Sequence, residues 1–135
     1  MFGLTYSSVA ATELNAQELD QLLGESRLRN QADDLTGLLL HISAPDPGSA
    51  FFVQRLEGPQ AAVESLYHRI EKDELHGGLV VLDSGPIGGR QFAGWSMRLA
   101  ELTPAELERF AGPGPVAELV RDPDAVQGLI HRYTA

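Results

Sequence analysis

The stretch FFVQRLEG, residues 51–58, alternates in the way a strand does. Phe52, Gln54 and Leu56 share one face, and Phe51, Val53 and Arg55 share the other. Gln54 therefore places an amide in an apolar row, where an unpaired polar group costs roughly 1–3 kcal/mol. Its side chain has a carbonyl acceptor and an NH2 donor, so rotation or tautomerisation reverses the polarity of its hydrogen bonds. The residue alone admits two readings, a satisfied core amide or a switch.

Other polar residues stand in comparable places. In FGLTYSSV, residues 2–9, the same alternation carries Tyr6 on a face with Phe2 and Leu4, where its hydroxyl needs a partner. Ser26 and Asn30 fall at and beyond the expected end of a first helix. Arg69, Asp73 and His76 cluster towards the end of a second helix and just past it, where a histidine also suits the helix dipole. Trp95 and Met97 are expected on one face of a last strand, with Ser96 and Arg98 on the other. Each also has a plain structural reading, as a bonded core tyrosine, a turn asparagine, a solvated helix end or a packing aromatic.

The elements that must position these residues follow in order. Strands are expected at Phe2–Val9, Leu35–Ile42, Phe51–Gly58, Leu79–Asp83 and Phe92–Leu99. A helix is expected over Leu14–Arg27, capped by Asn15 with Glu18, with Leu19, Leu22 and Leu23 as its buried stripe. Gly58-Pro59 opens the second helix, with Pro59 at its first position and Val63, Leu66, Tyr67 and Ile70 as its stripe. Ala44–Ala50, with two prolines and a glycine, reads as a surface loop. Thr103-Pro104 with Glu106 forms a capping box for a third helix that stops at Gly112-Pro113. Asp122-Pro123 opens a last amphipathic segment carrying Val126, Leu129, Ile130 and Tyr133.

The order βαββαββ is that of a ferredoxin-like split βαβ unit with one strand added, an α+β fold with one mixed sheet. Two helices on one face of that sheet leave a groove between them. Tyr6 and Gln54 can point into it, with Asn30 at the end of one wall and Arg69 and Asp73 at the end of the other. Apolar walls with a few converging polar groups suit a cofactor.

Composition narrows the class. The formal net charge is −9, which argues against nucleic acid and anionic membranes as bulk partners while leaving room for a small anion site. The chain has no cysteine, hence no disulfide and no thiolate chemistry. No signal peptide and no long apolar span is present, so the cytoplasm is the expected compartment. GPIGG at Gly85–Gly89 lacks the spacing and following helix of a phosphate loop. His41, His68, His76 and His131 show no metal-ligand spacing with carboxylates. No serine, histidine and aspartate set can be ordered into a triad, and a small hydrolase of the acylphosphatase sort has no motif in its favour.

The chain resembles BLUF domains, sensors of blue light using FAD, from about Leu4 to Leu99. The resemblance rests on LTYSS with Tyr6, SRLRN with Ser26 and Asn30, and LTGLLL at Leu35–Leu40. It extends through FFVQRLEGP with Gln54, HRIEKDELH with Arg69, Asp73 and His76, and RQFAGWSM with Trp95 and Met97. The SAPDPGS insertion and Arg29 depart from the common pattern without touching this set.

That resemblance implies a noncovalently bound flavin, FAD with FMN or riboflavin as alternatives, flanked by the two helices. Tyr6, Asn30, Gln54, Arg69, Asp73 and His76 would surround it. Tyr6 and Gln54 would be photochemical, and Trp95 and Met97 would exchange places as the switch. Residues 1–100 would be the sensor and residues 101–135 a helical extension for output or oligomerisation. The protein would then be a photoreceptor rather than an enzyme. It would signal to a separate downstream protein or through a homo-oligomer, by way of the open sheet face and the amphipathic tail. The rival reading is a non-photoactive ferredoxin-like interaction module.

Overall fold

The computed structural model describes residues 1–10, 16–43, 50–72, 76–112 and 114–134. The sheet is built from β1 (Phe2–Ala10), β2 (Thr36–Ser43), β3 (Ala50–Gly58), β4 (His76–Pro86) and β5 (Arg98–Leu102). Its strand order is β4-β1-β3-β2-β5. All neighbours are antiparallel except β2 and β5, which run parallel. The first four strands with α1 (Ala16–Ala32) and α2 (Gln60–Glu71) form the expected ferredoxin-like unit, and β5 extends it. The cap expected at Asn15 and the loop at residues 44–49 lie outside the described residues.

Strand alternation divides the side chains between two cores. Leu4, Tyr6, Leu39, Phe52 and Leu56 pack beneath Leu19 and Leu23 of α1 and Val63 and Leu66 of α2. Leu38, Leu40, Ile42 and Val53 point the other way, against Leu107, Val126, Leu129 and Ile130. Those residues belong to α3 (Pro104–Ala111) and α5 (Pro123–His131), with the short α4 (Val116–Leu119) between them. The second sheet face and the amphipathic tail, expected from the sequence to be open surfaces, instead cover one another. Both are apolar, and burying them together removes both from water.

Helix α1 runs further than its sequence pattern suggested. The helix continues through Ala32 in spite of Asn30, a weak helix former, and the chain turns only at Asp34, which takes a left-handed φ of 57°. Leu35 N–H then donates to Asn30 O at 2.8 Å, closing a Schellman-type end. Ser26 and Asn30 thus lie within the helix, on its buried face with Leu19 and Leu23. Pro59 is the N-cap of α2 rather than its first helical residue.

The last strand also differs. Residues 92–97 form turns instead of pairing, and β5 begins only at Arg98. Gly94 takes a φ of 88°, and Trp95 N–H donates back to Phe92 O at 3.0 Å. A chain turned in this way cannot run in the sheet. Phe92 is buried in the core of the second face and Met97 in that of the first, so this segment connects the two.

The capping box at α3 is present, with Thr103 Oγ1 accepting from Glu106 N–H at 3.2 Å and Glu106 Oε1 accepting from Thr103 N–H at 3.3 Å. Thr103→Ala is expected to cost about 1 kcal/mol in urea-induced unfolding. A change below about 0.3 kcal/mol would show that this cap contributes nothing to the C-terminal layer.

Candidate functional site

Tyr6 and Gln54 face each other directly across β1 and β3. Gln54 is in the central strand, with Leu39 of β2 opposite on its other side. Tyr6 is fully buried and Gln54 nearly so. The Tyr6 hydroxyl donates to Gln54 Oε1. Gln54 Nε2 lies 3.7 Å from the Met97 sulfur, its acceptor. One end of the amide thus meets a good donor and the other a weak, polarisable acceptor. The Tyr67 ring stands edge-on to Tyr6 at 5.8 Å. Partial burial, and then the charge of Glu71, push the Tyr67 phenol above its ordinary value, so it stays neutral beside Tyr6.

A cavity of about 360 Å³ opens over this pair, between α1 and α2. Leu22, Leu39, Phe52, Leu66 and Ile70 supply its apolar lining, and Arg29, Arg69 and Lys72 bring three cations to it beside the carboxylate of Glu25. A larger cavity, about 510 Å³, lies on the other sheet face beside α5 and contains neither Tyr6 nor Gln54. Of the two, only the first brings the phenol and the amide together.

The remaining candidates fall in three places. Arg69 lines the cleft, as expected. Asp73 lies outside the described residues, and His76 opens β4 opposite Ala10. Asn30 lies behind the cleft wall, fully buried. Its Nδ2 donates to Ser96 O at 2.7 Å, while its Oδ1 has no hydrogen-bond partner among the described residues.

Trp95 and Met97 are not neighbours on one strand face. Met97 is buried against Gln54, whereas Trp95 is 43% exposed. The reason is the turn at Gly94, which replaces strand alternation by three anchored carbonyls. Trp95 O accepts from Gly37 N–H at 3.1 Å, Ser96 O from Asn30, and Met97 O from Arg27 Nε at 3.0 Å. The backbone around the two residues is thus gripped by α1 and β2.

Sequence reasoning passed over Glu57. It reads as a lone carboxylate beside a turn, yet it is fully buried. Its Oε2 accepts from Gln91 N–H at 2.8 Å and its Oε1 from Phe92 N–H at 2.9 Å. The Arg55 guanidinium stands 3.9 Å away. Glu57 therefore holds the start of the segment that carries Trp95 and Met97. Arg29 and Lys72 were also missed as cleft residues.

The family model for sensors of blue light using FAD matches residues 1–98. This chain belongs to the BLUF family. It is 34% identical over 120 residues to a photoactivated adenylate cyclase subunit alpha-like protein of Euglena gracilis, covering 89% of this chain and 11% of that one. The chain thus spans about a tenth of the length of the curated relatives it matches. The dark-state structure of BlrB, a BLUF protein, is 30% identical with a TM-score of 0.74, covering 96% of this chain and 92% of BlrB. The ground state of BlsA superposes with a TM-score of 0.77 at 26% identity, over 97% of this chain and 85% of that one.

As a BLUF domain, the protein is a blue-light sensor that uses a flavin. The residues present suit such a group. The cavity volume lies within the usual range for ligand sites, about 300–1,000 Å³. Its apolar walls, with the Tyr6 hydroxyl and the Gln54 amide among them, suit a planar ring that has a polar edge. Among the described residues no helix is long and apolar enough to cross a membrane.

Proposed function

We propose that Tyr6 and Gln54 carry the photochemistry of this BLUF domain, with Trp95 and Met97 as the first elements to respond. The observation that carries this reading is the hydrogen bond from the Tyr6 hydroxyl to Gln54 Oε1, with Gln54 Nε2 turned to Met97 Sδ. When bound, a flavin supplies blue-light absorption and a strongly oxidising excited state. Tyr6 would supply an electron to the excited flavin, and its hydroxyl proton would travel through Gln54, Oε1 taking it up as Nε2 releases one of its own. Once the electron and one proton have returned to Tyr6, Gln54 would be left with its proton on Oε1 as the imidic tautomer, or as an amide whose side chain has rotated. Its donor and acceptor ends are then exchanged, and the contact with Met97 changes with them. Tyr6 is restored, so the cycle consumes no substrate.

Asn30, Arg69, Asp73 and His76 hold the cofactor in this reading, Asn30 through its unused oxygen and Arg69 from the cleft rim. FAD is the form we favour. Arg29, Arg69 and Lys72, against the single carboxylate of Glu25, leave the cleft net positive in a chain whose net charge is −9, as an anionic cofactor tail requires. Rearrangement at Gln54 biases the exchange of Met97 and Trp95, and residues 101–135 carry the change to a separate effector protein or to a second copy of the chain.

An absorption spectrum of the purified protein tests this, first in darkness and then under blue light. A flavin spectrum that moves reversibly to the red is expected. A flavin that only bleaches would overturn the amide switch. A protein that takes up no flavin even on reconstitution would return the choice to an interaction module without photochemistry.

A further inference from the structure

Arg98, the first residue of β5, joins Trp95 to the far end of the chain. Its guanidinium carbon lies 4.8 Å from the Trp95 ring centroid and 5.4 Å from that of Tyr133. Its Nη1 donates to the Tyr133 carbonyl at 2.8 Å. Among the described residues no carboxylate forms an ion pair with it. The two rings and one carbonyl are therefore its electrostatic partners, and the quadrupole of each ring face attracts the cation. Tyr133 in turn belongs to the last turn of the C-terminal layer, with its N–H donating to Ile130 O at 3.0 Å. Ile130 and Leu129 are, with Val126, the residues by which α5 sits on the second sheet face.

We propose that Arg98 is a positioning residue through which the location of the Trp95 ring sets the docking of α5. The inference rests on the Trp95–Met97 exchange proposed above. With the indole at the surface, Arg98 has both ring partners and holds the Tyr133 carbonyl. When the indole leaves the surface, the guanidinium loses one ring, its hold on Tyr133 weakens, and the end of α5 frays from the sheet. The coupling is reciprocal, so anything that fixes Tyr133 on Arg98 also favours Trp95 at the surface.

The test is amide hydrogen exchange on the full flavin-loaded chain in darkness and under blue light, with absorption recorded on the same samples. In the wild type, exchange over residues 129–134 is expected to become about threefold faster in the light, the factor for losing one exposed cation–π contact. R98Q is expected to keep the full red shift and to exchange at the fast rate in both conditions. R98K retains a charged donor without the planar fork and is expected to recover part of the dark protection.

Slow dark exchange in R98Q, with a wild-type response to light, would overturn the coupling. A wild type whose absorption shifts while this exchange stays constant would overturn the coupling and leave the photochemistry standing. A wild type without a red shift would remove the Tyr6–Gln54 reading and this inference together. Should R98Q fail to load flavin, Tyr133→Leu makes the same comparison far from the cleft. Fast dark exchange there supports the coupling, and wild-type behaviour overturns it.

Discussion

Replacing Gln54 with leucine is expected to leave a flavin-loaded protein whose absorption does not move under blue light. Leucine matches the apolar row of Phe52 and Leu56, so the strand and its packing survive. The variant lacks both ends of the amide at once. The Tyr6 hydroxyl loses its acceptor at Oε1, and the Met97 sulfur loses its donor at Nε2. An orphaned buried hydroxyl costs roughly 1–3 kcal/mol, which the gain in apolar burial partly offsets. No group remains whose donor and acceptor ends can be exchanged. The expected effect is complete loss of the red shift with flavin binding retained, read from difference spectra before and after illumination. A shift of wild-type size in this variant would remove Gln54 from the mechanism.

The second large effect is expected at Glu57. Glu57→Ala leaves the buried Phe92 N–H and the partly buried Gln91 N–H without their acceptors, each at roughly 1–3 kcal/mol. It also removes the buried negative charge beside Arg55. A total loss of about 3 kcal/mol or more is expected, measured by urea unfolding of the flavin-loaded protein. Glu57→Gln keeps one acceptor oxygen but turns an NH2 towards the other backbone N–H, so its cost is expected to fall between wild type and alanine. Because Glu57 holds the start of the Trp95–Met97 segment, both variants are also expected to shorten the lifetime of the red-shifted state. Unchanged stability in Glu57→Ala would mean that water replaces the carboxylate without loss, and that Glu57 does not fix this segment.

Comparing the expectations with the structure shows where local pattern suffices. Alternation in β1 and β3 placed Tyr6 and Gln54 on the same sheet face, because side-chain direction in a strand has a period of two residues. The Thr103 cap and the Asp122 cap were legible because capping is local, confined to a few residues of backbone. The element order through β4 was likewise readable, and with it the ferredoxin-like sheet.

Pattern failed at residues 92–97. Alternation put Trp95 and Met97 side by side, but Gly94 turns the chain and Glu57, Gly37, Asn30 and Arg27 take up its hydrogen-bonding groups. None of these partners is near in sequence, so no local rule could place the indole outside and the thioether inside. The end of α1 was misjudged for a related reason. The stop lies in the left-handed backbone of Asp34, which also meets Arg90 at 3.1 Å, and not in a glycine or proline.

The sequence by itself determined which residues could do chemistry, the family to which they point, and which of them share a sheet face. Those properties follow from residue type, order and strand period. Only the tertiary structure decided that Gln54 presents its oxygen to Tyr6 and its nitrogen to Met97. It also decided that Trp95 stands at the surface on Arg98, and that the tail closes the second sheet face. Each of these depends on contacts between residues far apart in the chain, where hydrogen-bond partners and apolar faces are matched only once the sheet has formed.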